Sequence, residues 1–193
     1  MPRFLAAALS ALLLAALPAA AAPGVAAASD LKFALDEISR AWSRETGRAV
    51  RLTYGSSGNF RRQIAEGAPF ELFLSADESY VLALAKEGRL EDEGTLYAVG
   101  RLVLFAPAGS PVDPAQGLPG LAQAARAGRL SRVAIANPAH APYGRAAREA
   151  LESAGAWAPL QGRLVLGENV SQAAQFATSG DAAAGLFAYS LTF

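Results

Sequence analysis

Four short segments combine hydroxyl or amide side chains with almost no cationic side chain. They are residues 28–30 (ASD), 55–59 (GSSGN), 137–144 (NPAHAPYG) and 167–170 (GENV). Each segment lies between a run typical of a strand and a run typical of a helix, where backbone N–H groups at a helix N-terminus are free to bind an anion. Four such loops that converge would surround a small oxyanion with neutral donors. The pattern therefore favours a binding protein for a compact anion over an enzyme.

The side chains in the first two segments each allow two interpretations. Ser29 either caps the helix that follows it or donates its hydroxyl to a ligand. Residues 55–59 form either a plain glycine-rich turn or an oxyanion-binding loop, and they match neither a Walker loop nor a nucleophile elbow. Asp30 suits the first turn of a helix, but its carboxylate would repel an anion. We therefore expect only the backbone of Asp30 to face the site.

His140 is the only histidine in the sequence, and it raises the alternative of a hydrolase. That mechanism would need His140 as the base for Ser57 or Ser29, with a carboxylate behind it. A single histidine in a proline-rich loop is more often a structural hydrogen-bonding residue. Because the sequence has no cysteine and no cluster of histidines or carboxylates, it predicts no catalytic residue, no cofactor and no metal-cation site.

Strand-like and helix-like runs alternate along the chain, which predicts an α/β fold of mostly parallel sheets flanked by helices. The predicted strands are residues 25–28, 50–54, 70–74, 97–106, 132–136, 164–166 and 185–188. The predicted helices are residues 30–46, 60–66, 76–88, 120–128, 145–153 and 170–178.

The N-terminus has the features of a secretory signal peptide over residues 1–22. Arg3 precedes an apolar run, and Ala19 to Ala22 offer cleavage sites. An uncleaved membrane anchor is the alternative, although the run is short for a membrane span. We expect a periplasmic protein, without lipoprotein attachment because cysteine is absent. The formal net charge is +0 and the basic residues are scattered, which argues against nucleic-acid binding.

Four sequence segments together resemble the molybdate-binding proteins of bacterial ABC importers. They are AAASDL (26–31), YGSSGNFRRQIAEGAPFELFLSAD (54–77), NPAHAPYGRAAREAL (137–151) and ENVSQAA (168–174). The resemblance implies the two-lobed periplasmic-binding-protein fold with a ligand cleft between the lobes. It places lobe one in residues 23–104 and lobe two in residues 105–193. It also implies a monomer that captures molybdate or tungstate and delivers it to membrane permease subunits.

The same resemblance implies four ligand-binding residues. Ser29 and Ser57 match the two hydroxyl donors of lobe one, and Tyr143 and Val170 match the residues of lobe two that donate backbone N–H groups. Some members add a tyrosine hydroxyl from the last strand of lobe two. This chain has Ala188 at that position and Tyr189 one place later, so we expect the fifth donor to be missing.

The sequence departs from the family pattern after Phe193, where family members return to lobe one. We therefore expect a C-terminal truncation, with apolar surface of lobe one left exposed. Three alternatives remain open: a binder of sulfate or another oxyanion, a truncated remnant that does not bind, and a hydrolase that uses Ser57 and His140. Molybdate and tungstate are too similar in size and charge for the sequence to distinguish them.

Overall fold

The computed structural model describes residues 21–192, in which strands and helices alternate as predicted. The strands are β1 (Gly24–Ala28), β2 (Arg51–Gly55), β3 (Leu72–Leu74), β4 (Leu102–Phe105), β5 (Val133–Ala136), β6 (Leu164–Gly167) and β7 (Ala184–Ala188). The helices are α1 (Lys32–Thr46), α2 (Ser57–Ala65), α3 (Glu78–Lys86), α4 (Gly117–Arg126), α5 (Pro142–Ser153), α6 (Trp157–Leu160) and α7 (Val170–Thr178). Short 3-10 turns cover Ser29–Leu31, Pro114–Gln116 and Tyr189–Leu191. Most of the predicted signal peptide lies outside the described residues.

The strands form two separate sheets. The first sheet has the order β2-β1-β3 and is entirely parallel. The second has the order β4-β7-β5-β6, in which β4 is antiparallel to β7 and the other pairs are parallel. We call the first sheet with α1–α3 the first lobe (residues 24–86), and the second sheet with α4–α7 the second lobe (residues 102–188). The predicted α/β class is confirmed.

The segment before β4 differs from the prediction. Only Leu102–Phe105 of the predicted strand 97–106 is a strand, and it pairs within the second sheet. The predicted lobe boundary between residues 104 and 105 therefore falls inside β4. Residues 95–101 instead run between the lobes, where the Tyr97 hydroxyl donates to the Ser75 carbonyl oxygen at 2.7 Å. Among the described residues, 95–101 pair with no strand, so they stay irregular despite their apolar pattern.

Each lobe has its own hydrophobic core. In the second lobe, buried residues cover both faces of the sheet, with Leu121 and Leu151 on one side and Ala173 and Phe187 on the other. The first lobe has a smaller core, in which the Phe60 ring packs edge-on against Phe70 at a centroid distance of 5.5 Å. Among residues 21–192, no helix is long and apolar enough to cross a bilayer.

Apolar side chains are exposed on the first lobe, as expected. Helix α1 has no buried residue, and Phe33, Ile38 and Trp42 are 54%, 59% and 45% exposed. A wide groove of about 1230 Å³ runs between β3, α3 and residues 92–101, and its lining includes Leu72 and Val99. The second lobe buries its sheet more completely, because α4 and α5 cover one face and α7 covers the other.

Candidate anion-binding site

The structure brings the four predicted ligand-binding residues to one small cavity of about 10 Å³ between the lobes. The cavity is lined by Ala28, Ser29, Asp30, Gly55, Ser56, Ser57, Ala76, Ala141, Pro142, Tyr143 and Val170. Ser29, Ser57, Tyr143 and Val170 are all buried, and Ser57 is completely so. The cavity has about the volume of one water molecule. A tetrahedral oxyanion therefore enters only when the walls move apart.

Strand register explains why these loops meet. Ala28 is paired with Gly55 at the carboxyl ends of β1 and β2, so the loops leading to Ser29 and α2 start side by side. In the second sheet Ala136 is paired with Gly167, and the loops to α5 and α7 start side by side in the same way. In a parallel sheet, the loops that follow the strands all lie at the carboxyl ends of the strands, which is the usual place for a ligand site.

The hydroxyls of Ser29 and Ser57 each accept a hydrogen bond from the backbone. Ser29 Oγ accepts from the Ser171 N–H at 3.3 Å, and Ser57 Oγ accepts from the Ala76 N–H at 3.0 Å. Among the described residues neither hydroxyl donates, which leaves each O–H able to donate to a ligand. The capping interpretation of Ser29 is wrong, because Ala28 caps the 3-10 turn, Leu31 caps α1, and neither cap has a side-chain hydrogen bond.

Helix α5 presents the backbone N–H of Tyr143 to the cavity. Pro142 is the first residue of the helix and has no N–H. The N–H groups of Gly144 and Arg145 both donate to the Ala141 carbonyl oxygen, at 3.0 and 3.1 Å. The Tyr143 N–H is thus the first donor of α5, and it has no acceptor within residues 21–192.

Helix α7 leaves one N–H uncommitted at its N-terminus. The Asn169 side chain accepts from the Gln172 N–H at 3.1 Å, and the Asn169 carbonyl oxygen accepts from the Ala173 N–H at 3.2 Å. The Ser171 N–H is bonded to Ser29 in the opposite lobe. The Val170 N–H has no acceptor in the described part of the chain, and Val170 lines the cavity.

Within the described part of the chain, no lysine or arginine lines the cavity. The positive ends of the α2, α5 and α7 dipoles and the donors described above therefore provide the attraction for an anion. A neutral donor set of this kind binds oxyanions by hydrogen bonds alone. Within residues 21–192, no group of three or more histidine, cysteine, aspartate or glutamate residues could hold a metal cation.

Asp30 is also among the residues that line this cavity and the wide groove. The Tyr143 hydroxyl, from the other lobe, donates to Asp30 Oδ2 at 3.2 Å. Burial raises the pKa of Asp30, and hydrogen bonds from its own backbone N–H and from the Tyr143 hydroxyl offset part of that rise. Burial, reinforced by the nearby Asp30 charge, raises the pKa of Tyr97 to about 12 and the pKa of Tyr143 further still, so both tyrosines are neutral donors.

His140 contacts Ser56 rather than Ser57. Its Nδ1 lies 3.0 Å from Ser56 Oγ, and its Nε2 lies 3.5 Å from Glu168 Oε2. The Ser57–His140 pair that a hydrolase would need is therefore not formed, because the Ser57 hydroxyl turns toward Ala76. His140 joins the lobes instead, since its carbonyl oxygen accepts from the Gly58 N–H at 2.9 Å.

Sequence reasoning missed several residues that bring the lobes together. A Cβ on Gly58 would lie 2.4 Å from the His140 carbonyl oxygen, so only glycine permits this approach. Arg145 pairs with the Asp77 carboxylate and its guanidinium carbon lies 5.0 Å from the Tyr80 ring centroid. Sequence proximity could not reveal these pairs, because their members are far apart in the chain.

The position of the expected missing donor lies at the end of β7. Ala188 is buried and pairs with Leu102, and Tyr189 opens the last 3-10 turn, with its N–H bonded to the Arg101 carbonyl oxygen at 2.8 Å. Tyr189 lines the wide groove and is absent from the lining of the small cavity. The absence of a fifth donor stays a prediction.

Comparisons with known proteins agree with this arrangement. The molybdate-binding protein ModA of Rhodobacter capsulatus is 41% identical over 177 residues, which cover 91% of this chain and 68% of that protein. ModA of Azotobacter vinelandii is 36% identical over 187 residues, covering 96% and 72%. The solved structure of the Azotobacter vinelandii periplasmic molybdate-binding protein matches with a TM-score of 0.75 and 32% identity, covering 86% of this chain and 71% of that one. The family model of bacterial extracellular solute-binding proteins matches residues 24–193, and the chain belongs to that family.

Proposed function

We propose that this protein captures molybdate or tungstate in the periplasm and delivers it to the permease subunits of an ABC importer. The observation that carries the proposal is the convergence of two uncommitted hydroxyls and two uncommitted N–H groups on one buried cavity without a cation. Two relatives that are 41% and 36% identical are named for molybdate binding, which supports this anion class. The protein acts as a monomeric binding protein, makes and breaks no bond and binds no nucleic acid.

The energetics of the site follow from its neutral donors. Removing a dianion from water costs a large free energy, which aligned hydrogen bonds must offset. A hydrogen bond to a charged group contributes about 1.5–3 kcal/mol net. The hydroxyls of Ser29 and Ser57 and the N–H groups of Tyr143 and Val170 supply four such bonds. The donors come from both lobes, so the full set forms only when the lobes close over the anion.

The same geometry explains selectivity by size. Ser29 and Ser57 belong to the first lobe, and Tyr143 and Val170 belong to the second. A tetrahedral anion reaches all four donors only if it spans the closed cleft. A smaller anion such as sulfate leaves one or more buried donors unpaired, which is costly. Molybdate and tungstate both span the cleft, so we expect similar affinities for the two.

Titration calorimetry of the purified chain with four anions tests the proposal. We expect saturable heat with molybdate and tungstate and little or none with sulfate or hydrogen phosphate. Equal binding of sulfate would contradict the assignment to molybdate and favour a general oxyanion binder. No heat with any of the four anions would contradict binding altogether.

A further inference from the structure

Asp30 is a carboxyl group built into the anion site without a counter-ion. Its Oδ1 is buried and has no hydrogen-bond partner among the described residues. Its Oδ2 accepts one bond, from the Tyr143 hydroxyl at 3.2 Å. Asp30 follows Ser29 directly and lines both the small cavity and the wide groove. Asp30 as a residue is half-buried, and an ionised carboxylate so close to the site would repel a bound dianion.

Among the described residues Asp30 forms no ion pair, and Arg101 is the one cationic residue that lines the wide groove with it. Helix α7 contacts this turn and has no titratable side chain between Val170 and Thr178. The other contacts bring tyrosines: Tyr143 from α5, Tyr97 from the segment between the lobes, and Tyr189 from the last 3-10 turn. Lys32 in α1 forms an ion pair with Asp36 at 2.8 Å, and Arg145 in α5 forms an ion pair with Asp77.

Lobe closure creates this environment. The hydroxyl of Tyr143 reaches Asp30 from the second lobe, and Ser171 of the second lobe bonds to the Ser29 carbonyl oxygen at 2.9 Å. Separation of the lobes would break the Tyr143 bond and return water to Asp30, so its pKa would move back toward the ordinary value of 3.8. In the closed form burial raises the pKa of Asp30, and a bound dianion raises it further by charge repulsion.

We propose that Asp30 holds a proton when the anion is bound, so that capture of a divalent oxyanion takes up one proton from solution. The inference rests on the proposed function, because it concerns the same cavity. Each binding event takes one dianion and one proton from solution, and the proton resides on the Asp30 carboxylate. Affinity is then greatest at low pH. It falls by up to about tenfold per pH unit between the pKa of the free form and that of the bound form, and levels off above that range.

Calorimetry in buffers of different ionisation enthalpy tests this directly. Molybdate is titrated into the protein at the same pH in two such buffers, neither of them phosphate, at several values between about pH 5.5 and pH 8. The dependence of the measured heat on the buffer gives the number of protons taken up. We expect uptake of up to one proton by the wild type and none by Asp30→Asn, whose affinity no longer changes with pH. The control Glu37→Gln removes an exposed carboxylate of α1 and keeps the uptake of the wild type.

Other outcomes overturn the inference. Equal proton uptake by the wild type and Asp30→Asn, or loss of uptake in His140→Gln, would place the proton elsewhere. If Asp30→Asn does not fold, Tyr143→Phe replaces it. That variant removes a bond that lowers the pKa of Asp30, so uptake must extend to higher pH, and an unchanged range contradicts the inference. Absence of molybdate binding by the wild type would overturn the proposed function and this inference together, whereas binding without uptake overturns only the inference.

Discussion

At the scale of single residues, the site depends on hydroxyl groups that already accept a hydrogen bond from the backbone and can still donate one. Ser57 Oγ accepts from Ala76 and Ser29 Oγ accepts from Ser171, so the backbone orients both hydroxyls. A hydroxyl that accepts one bond from the protein is free to donate to an anion. Ser56, the neighbour of Ser57, is committed to His140 instead. The difference between two adjacent serines arises from the start of α2, where Ser56 is the cap and Ser57 the first helical residue.

The Ser57→Ala substitution tests the donor at this scale. Loss of one charge-assisted hydrogen bond worth about 1.5–3 kcal/mol should raise the dissociation constant for molybdate by about 10- to 100-fold. The measurement is calorimetric titration, with thermal unfolding to confirm that the variant folds. Ser43→Ala, on the exposed surface of α1, is the matched control and should bind as the wild type does. Full molybdate affinity in Ser57→Ala would exclude Ser57 from the site.

At the scale of elements, helix N-termini determine what the site can bind. The N–H groups of residues 171–173 donate, in that order, to Ser29 Oγ, to the Asn169 side chain and to the Asn169 carbonyl oxygen. In this first turn of α7, only the Val170 N–H has no acceptor among the described residues. In α5, Pro142 removes one N–H at the start, so that Tyr143 provides the first donor. Helix capping thus occupies most of the N–H groups at a helix N-terminus and leaves a single free donor at a defined position.

A proline at position 170 tests the backbone donor of α7. Proline is tolerated as the first residue of a helix, and Asn169 already has the extended backbone that proline requires before it. Val170→Pro should therefore leave the helix intact but remove the N–H, and weaken molybdate binding by about tenfold or more. Val170→Ala keeps the N–H and serves as the control for side-chain loss. Equal affinities of the two variants would show that the Val170 N–H does not contact the anion.

At the scale of the whole molecule, the lobes meet through polar contacts around the cavity. The Asn59 amide donates to Glu168 Oε1 at 2.5 Å, the Gly58 N–H donates to His140, and Arg145 pairs with Asp77. Polar, partly exposed contacts of this kind contribute little each, typically less than about 1 kcal/mol. We therefore expect these contacts to stabilise the closed arrangement weakly enough for the lobes to open and exchange an anion.

Two arginines of α5 provide a matched test of lobe closure. Arg145 pairs with Asp77 and stacks on Tyr80 in the first lobe, while Arg148 pairs with Glu152 and stacks on Trp157 in its own lobe. Arg145→Gln should weaken molybdate binding by up to about fivefold, mainly through faster release. Arg148→Gln should leave release unchanged. Stopped-flow measurement of anion release compares the two, and equal rates would show that the Arg145 contact does not stabilise the closed form.

The two lobes also differ in how completely they are buried. The second lobe encloses its sheet between helices, whereas the first lobe leaves α1 and the groove beside β3 exposed. Val99 is 89% exposed and Leu96 is 77% exposed beside that groove. Ser29 and Ser57 are therefore held by the less covered of the two lobes.

Local sequence pattern was sufficient for most of the elements. Helix α7 begins and ends where its periodicity predicts, because a capping asparagine, an apolar face and a following Ser-Gly pair all agree. The predicted strand 97–106 was too long, since an apolar run shows that a segment can be a strand but not that a neighbouring strand is available. Helix α6, only four residues long, carried no periodic signal strong enough to predict it.

The amino-acid sequence by itself determined the α/β class, the four loops with their small and hydroxyl residues, and the scarcity of cations in them. These properties depend on residue type and on neighbours a few positions away. Only the tertiary structure decided that the four loops meet at one cavity, that Ser56 rather than Ser57 contacts His140, and that Asp30 lies against Tyr143. Those pairs are separated by 84 and 113 residues, and strand register and lobe packing bring them together. The sequence therefore specifies which donors exist, and the fold decides which of them remain free to bind an anion.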